Sequence, residues 1–485
     1  MSFQLDNWVG RSVSLALLFI SVALFAFTGD TLFIAVPFVY LFALLLVANW
    51  KFVYWILLFT IPFSIVIYLG PLSTTIPDEP IMWALLLVFI LLLIRHRKLF
   101  PEWWLRHPLV LIIILQFIWM LMAVVFSQKL FLSVKFSLAK TWFLVAFLVM
   151  PLFVFQEKKD FRKAFIIMLV PMVATILVVV ARHAATGFDF RRIEQSIHPL
   201  YYNHVEYSTV ISMFFPLLLI AYMLSKGKTG KRFLFAGLIL FFLFAIYFSY
   251  ARAAMVAVIF AVAVGVAMRF RLVNFLMPGF YAVMILIVGY MVNNNKYIDY
   301  RPDFERTYMH HSFSDHIIAT FRGQDMSSME RLYRWVAAVR MSQDHPMVGV
   351  GPNAFYYFYK PYTVTSFRTY VSRNPEQSTT HNYFLYMLVE QGWPAMILYA
   401  ILVFVFFAQA QKVYFRFRDR FYKLCTMGLA MMFGAGFINN FFSELLETHK
   451  VGCLFFISIA LLIVLDRKSK EEQQQLVATG SQPTP

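Results

Sequence analysis

Three short stretches of this 485-residue sequence carry side chains able to hold an anion and move a proton. In Phe248-Ser249-Tyr250-Ala251-Arg252, a guanidinium stands at the junction of two apolar runs. A charge there must be solvated or paired. Arg252 therefore either meets a ligand at the aqueous boundary or serves as a snorkelling anchor for its helix. Arg331 directly follows Ser327-Ser328-Met329-Glu330, Arg334 comes three residues later, and Gly349-Val350-Gly351-Pro352-Asn353-Ala354-Phe355 lies further on. Arg331 lies four residues before Trp335, a spacing at which ring packing turns the guanidinium fork toward a bidentate anion. Gly349 and Gly351 permit close backbone approach. For Arg334 and Arg340 a solvated helix face is the plainer expectation. In Thr379-Thr380-His381-Asn382-Tyr383, a threonine caps a helix and sets His381 in its first turn. The positive helix end there favours a neutral, proton-accepting imidazole and an anion beside it. Ser249, Tyr250, Gly349, Gly351 and Asn382 complete the expected substrate site around Arg252, Arg331 and His381.

Missing patterns narrow the chemistry. The sequence has no Gly-x-x-x-x-Gly-Lys phosphate loop, no zinc-type Cys or His spacing and no Asp-x-Asp pair. Nucleotide hydrolysis, a zinc site and a divalent ion against a nucleotide-sugar diphosphate are not expected. The expectation is no metal and no cofactor, with any anion met by arginine, histidine and helix ends.

The elements that must position these residues are membrane spans. The chain is 61% hydrophobic and only 14% charged, against about 25% in soluble domains, so a conventional water-soluble enzyme is excluded. The net charge of +17 fits lipid headgroups and cytoplasmic loops, and nucleic acid is not implied. Cys425 and Cys453 are expected near opposite membrane faces, too far apart to bridge. The first apolar block reads as a retained span, without a cleavage site.

The expected fold is all-α and polytopic, with twelve to fourteen spans. They are placed near 12–28, 31–48, 52–69, 81–94, 108–126, 136–155, 163–181, 208–224, 233–250, 252–268, 272–291, 382–408, 424–441 and 450–466. Lys and Arg cluster at Arg95–Lys98, Lys158–Lys163, Lys226–Arg232, Lys412–Lys423 and Arg467–Lys470, which puts both termini in the cytoplasm. The organisation is then an N-terminal membrane block, 1–291, with an outside loop at 182–207. An outside cap loop, 292–380, follows, then a C-terminal membrane block, 381–466, and a disordered tail, 467–485. The cap is rich in aromatic residues and should fold. Ser327 to Glu330 reads as a capping box for a helix ending near Asp344, before Pro346, with Leu332, Trp335, Val336 and Val339 on one face. No internal repeat is visible.

Taken together, the order of motifs resembles the O-antigen ligase and polymerase superfamily. Arg252 ends a Ser-containing junction, the outside loop carries Arg-x-x-x-Trp and Gly-x-Gly-x-x-x-Phe, and His-Asn-x-x-Leu opens the next span before Glu390-x-Gly392. The motif-bearing part runs from about Phe233 to Glu447. Ala251 departs from the Ser or Thr usual before the first Arg. The resemblance implies transfer of a glycan from an undecaprenyl-diphosphate carrier at the periplasmic face of a bacterial inner membrane. It gives the diphosphate to Arg252 and Arg331 and the acceptor hydroxyl to His381. Guanidinium groups stabilise the charge that builds on leaving phosphate oxygens, and an imidazole deprotonates a hydroxyl near neutral pH. A single inverting displacement is the simplest scheme. A double one needs a carboxylate, with Glu444, Glu447 and Asp344 to hand, although for Glu444 and Glu447 structural pairing is preferred. The acceptor is expected to be lipid A core, with a growing polysaccharide or protein Ser/Thr as alternatives. A lipid-linked oligosaccharide flippase is the reading from another class, disfavoured by the absent repeat and by ionisable groups gathered at one face.

Overall fold

The computed structural model describes residues 8–29, 32–69, 72–95, 102–301, 318, 325–368, 372 and 379–478. The first helices are α1 Trp8–Thr28, α2 Leu32–Thr60 and α3 Asp78–Arg95. Next come α4 Pro108–Val125, α5 Leu130–Val154 and α6 Lys158–Ala184. The first block closes with α7 His204–Leu224, α8 Thr229–Tyr247, α9 Arg252–Arg269 and α10 Val273–Val292. The cap helix α11 is Met326–Asp344, followed by α12 Tyr383–Arg416, α13 Arg420–Phe441 and α14 His449–Ala478. Among the described residues, eleven helices are long and apolar enough to cross a membrane. The protein is an all-α, polytopic membrane protein.

Of the fourteen expected spans, the first coincides with α1, which enters only as the shorter apolar stretch Phe19–Thr28 and is not among the eleven, and two others differ for local reasons. Residues 31–48 and 52–69 were expected as two spans, but α2 is continuous except for a kink at Asn49 (φ −154°, ψ 73°). It also stops at Thr60. Ile65–Leu69 instead pairs antiparallel with Leu72–Ile76, a hairpin suited to the β-branched Ile65-Val66-Ile67 that follows Pro62. Helix α3 holds Asp78, Glu79 and Arg95 within its eighteen residues. The expected disordered tail is helical as far as Ala478. Asp466 joins it to Arg416 at 2.7 Å, and Arg467–Glu471 and Lys470–Asp466 pair one turn apart. Residues 479–485 lie outside the described part.

Packing centres on α13, which touches α7, α9, α12 and α14. Lipid supplies no hydrophobic drive between helices, so close van der Waals contact must hold them. Small residues provide it: Gly434 faces Val264, Gly436 faces Met213, and Ala254, Ala257 and Ala261 of α9 are fully buried. This contact brings the start of α9 beside the end of α13.

Helix α12 is broken at Gly392 (φ 82°, ψ 178°), ahead of Pro394. A break in a span orphans backbone groups that water cannot reach. The segment after α11 repairs it. Val350 N donates to Val389 O at 2.9 Å, Gly351 N to Glu390 O at 3.0 Å, and Trp393 N to Pro346 O at 2.9 Å. Trp119 Nε1 donates to Gln391 O at 2.8 Å. The Glu390 side chain, 1% exposed, accepts from the backbone N–H groups of Asn353 and Phe355. The cap is thereby locked onto α12, and its own core of Tyr333, Ala337, Met341, Phe355, Tyr359 and Phe367 closes around Val389. This buried face differs from the expected one: Val336 is buried, while Leu332, Trp335 and Val339 are half-buried.

Candidate active site

The site is assembled by one buried carboxylate. Asp325, with no exposed side chain, is the N-cap of α11 and accepts from Ser328 N at 2.9 Å. The cap thus lies two residues before the expected Ser327. Its Oδ2 also accepts from Arg252 Nη2 at 2.8 Å. The cap helix is therefore pinned to the first residue of α9, and Arg331 and Arg334 project from its second and third turns.

Arg334 Nη1 donates to His381 Nε2 at 2.7 Å. On the other side of the ring, His381 Nδ1 faces Glu444 Oε2 at 3.8 Å. His381 holds φ +51°, a left-handed conformation that costs a non-glycine residue energy and recurs at functional sites. It sits just ahead of α12 and not inside its first turn. Asn382 is the actual N-cap, accepting from Leu385 N at 3.1 Å. Asn382 Nδ2 also donates to Phe441 O at 3.0 Å, tying the start of α12 to the end of α13, from which Glu444 emerges.

Arg252, Arg331 and His381 thus converge at one end of the bundle. Burial pushes the Arg331 guanidinium below its usual pKa, aided by the charges of Arg252 and Arg334 and opposed by Asp325 and Glu444. Burial likewise lowers the His381 imidazole to about 4, with Glu444 opposing and Arg334 and Arg331 adding to the effect. Among the described residues, Arg331 Nε, Arg334 Nε, Trp335 Nε1, Thr379 Oγ1 and Glu444 Oε2 are all buried without a hydrogen-bond partner. Buried polar atoms are normally satisfied, and five of the sixteen that lack a partner among the described residues are these.

The remaining expected residues sit differently. Ser249 is fully buried, and its hydroxyl donates to Ile246 O at 2.6 Å. Tyr250, at φ +58°, donates its hydroxyl to Phe188 O and so anchors the 182–207 loop beside Arg252. Gly349 and Gly351 do not join the cluster. Their close approach is to the chain itself: a Cβ would lie 2.4 Å from Glu390 C at Gly349 and 2.0 Å from Ser127 Oγ at Gly351. The sequence reading gave Arg334 to solvent and Glu444 to structural pairing, yet both flank the imidazole. The spacing of Arg334, three residues after Arg331 and so on the same helix face, was the available signal. Among the described residues no three His, Cys, Asp or Glu side chains group as a metal site.

Fold and site together define a polytopic membrane protein with a cluster of arginine, histidine and carboxylate side chains where the cap meets the membrane helices. Residues 236–400 match the family model described as O-antigen ligase, which supports the O-antigen ligase and polymerase superfamily. The match spans α8 to the middle of α12, including Arg252, Arg331, Arg334 and His381, and ends before Glu444. It supports an O-antigen ligase-like membrane glycosyltransferase in general terms. No curated protein matches the chain.

Proposed function

We propose that the protein transfers a preassembled glycan from an undecaprenyl-diphosphate carrier to a hydroxyl of lipid A core. The site then lies on the periplasmic face of a bacterial inner membrane, with both chain termini cytoplasmic. The observation that carries this reading is the gathering of Arg331 and Arg334 at one imidazole, with Arg252 beside Arg331 on Asp325, among buried polar atoms without partners among the described residues. Three guanidinium groups suit the two phosphates of such a carrier, because their planar forks bind phosphate oxygens in pairs. In the reaction the acceptor oxygen attacks the anomeric carbon, its proton passes to His381, and the carbon–phosphate-oxygen bond breaks. The charge that develops on the leaving diphosphate meets fixed donors and needs little reorganisation. One displacement inverts the anomeric centre. Glu444 faces the imidazole, so its support of the imidazolium is favoured over a nucleophilic role.

Deleting the gene and separating cellular lipopolysaccharide on a gel tests the acceptor. Core with no attached chains supports ligation. Core carrying single repeat units indicates a polymerase, and unchanged ladders indicate protein glycosylation or another polymer. Full activity of the purified enzyme in chelator is expected.

A further inference from the structure

We propose that Arg334 is a donor-operated latch on His381, a positioning residue that keeps the base covered until the diphosphate arrives. The inference rests on the transferase reading above. A guanidinium can only donate, so the 2.7 Å contact makes Nε2 the lone-pair nitrogen and leaves the ring proton on Nδ1, facing Glu444. The one lone pair able to take the acceptor's proton is therefore already engaged. Nothing else on the ring can replace it, since Nδ1 carries the proton and meets a carboxylate.

The latch is weak by design of its chemistry. A neutral imidazole nitrogen is a single acceptor, whereas a diphosphate offers several charged oxygens in fork geometry. Arg334 is otherwise loosely held: Glu330 Oε2 lies 3.7 Å from Nη2, Thr379 O is 3.5 Å from Nη1, and its Nε has no partner among the described residues. Diphosphate binding draws Arg334 away, frees Nε2 and places negative charge beside the ring. The groups facing His381 are Arg331 and Arg334 from the cap helix and Glu444 from the turn after α13, with Glu330, Asp325 and Arg252 behind them. Replacing the cationic contact by an anion makes the imidazole a stronger base at the moment it is needed. The proton taken from the acceptor hydroxyl goes to Nε2, the electron pair of the broken bond leaves with the diphosphate, and Glu444 stabilises the resulting imidazolium. Binding order follows: donor first, acceptor second.

The pH dependence of two rate parameters tests this. The acid limb of donor kcat/KM reports the free enzyme and that of kcat the loaded one. In the wild type the kcat limb should lie at least one pH unit above the kcat/KM limb. In Arg334→Gln the separation should shrink to what the anion's charge alone produces, with Arg334→Lys partly restoring it. Coincident limbs in the wild type, or an undiminished separation in Arg334→Gln, would overturn the latch. The wild-type comparison stands even if the variant misfolds. Retention of full transfer by His381→Gln would instead overturn the transferase site itself, so the two failures are distinguishable.

Discussion

Two groups of buried charge occupy the same end of this bundle, and they are built in opposite ways. At the start of α14, His449 Nδ1 lies 2.9 Å from Asp78, which has no exposed side chain, and the Thr75 hydroxyl meets the same nitrogen. Lys450 donates to Pro62 O at 3.2 Å and to Leu200 O, and sits 4.3 Å above the Tyr201 ring. Nearby, Lys140 pairs with Glu447 at 2.9 Å, and Tyr383 donates its hydroxyl to the same carboxylate at 2.6 Å. Every cation there meets a carboxylate, carbonyl or ring. Around His381 the pairing is less complete, with five buried polar atoms lacking partners among the described residues. Burial of charge is thus common to both groups. Among the residues named here the first group leaves one such atom, Asp78 Oδ1, against five around His381, and each is costly in a medium of low dielectric.

The largest expected effects come from breaking the unsatisfied group. His381→Ala should slow transfer roughly 10²–10⁴-fold as the loss of a general base. Arg252→Ala and Arg331→Ala should each cost on the order of 10²–10³-fold, as for one charge-stabilising donor. Initial rates normalised to folded protein measure both. The contrast inverts in the satisfied group. Asp78→Ala leaves His449 buried without its carboxylate and should destabilise the protein by about 3–5 kcal/mol, with transfer per folded molecule near wild type. Thermal unfolding in detergent reads the first quantity. If Asp78→Ala instead slowed transfer as much as Arg331→Ala at equal stability, the division between the two groups would fail.

A third region joins them, and Gly392→Ala probes it. The added Cβ would lie 1.9 Å from Met347 O, at a φ of +82° that side chains rarely adopt. Backbone strain of about 1–3 kcal/mol is expected, with overpacking of similar size. Because this break docks the cap, stability and transfer should fall together, a pattern neither charge group produces.

How much of this was readable beforehand depends on whether a residue's role is local. Arg252 and His381 are conspicuous because ionisable side chains at span ends are costly, and the cap helix ends at Asp344 as Pro346 requires. Its start was misplaced by two residues because Ser327 to Glu330 satisfies the capping pattern, whereas Asp325 was selected by a distant partner, Arg252. The same limitation hid Arg334. Helical spacing puts it near Arg331, but whether that face meets water or an imidazole depends on where α12 begins. Gly349 and Gly351, expected at the substrate, are places of close approach to the chain itself. What approaches is a broken helix, and the break is encoded at Gly392 and Pro394, in a different element. The tail helix escaped notice because its polar sequence looks unstructured until Arg416 and Asp466 tether it.

The subtlest expected effect separates the groups most cleanly. Arg331 is a guanidinium taken partly out of water, with Arg252 and Arg334 adding repulsion and Asp325 and Glu444 opposing it. Asp325 is already committed to Arg252 and to the helix cap. Replacing Arg331 by Met keeps the aliphatic stem and its packing while removing the desolvated charge. Such replacements are often neutral or stabilising when the charge has no well-made pair. Arg331→Met should therefore leave the unfolding temperature unchanged or raise it, by the equivalent of up to about 1–2 kcal/mol, while transfer falls by orders of magnitude. A clear drop in unfolding temperature would show that Arg331 holds the cap in place, and its orphaned nitrogen would then no longer point to a ligand.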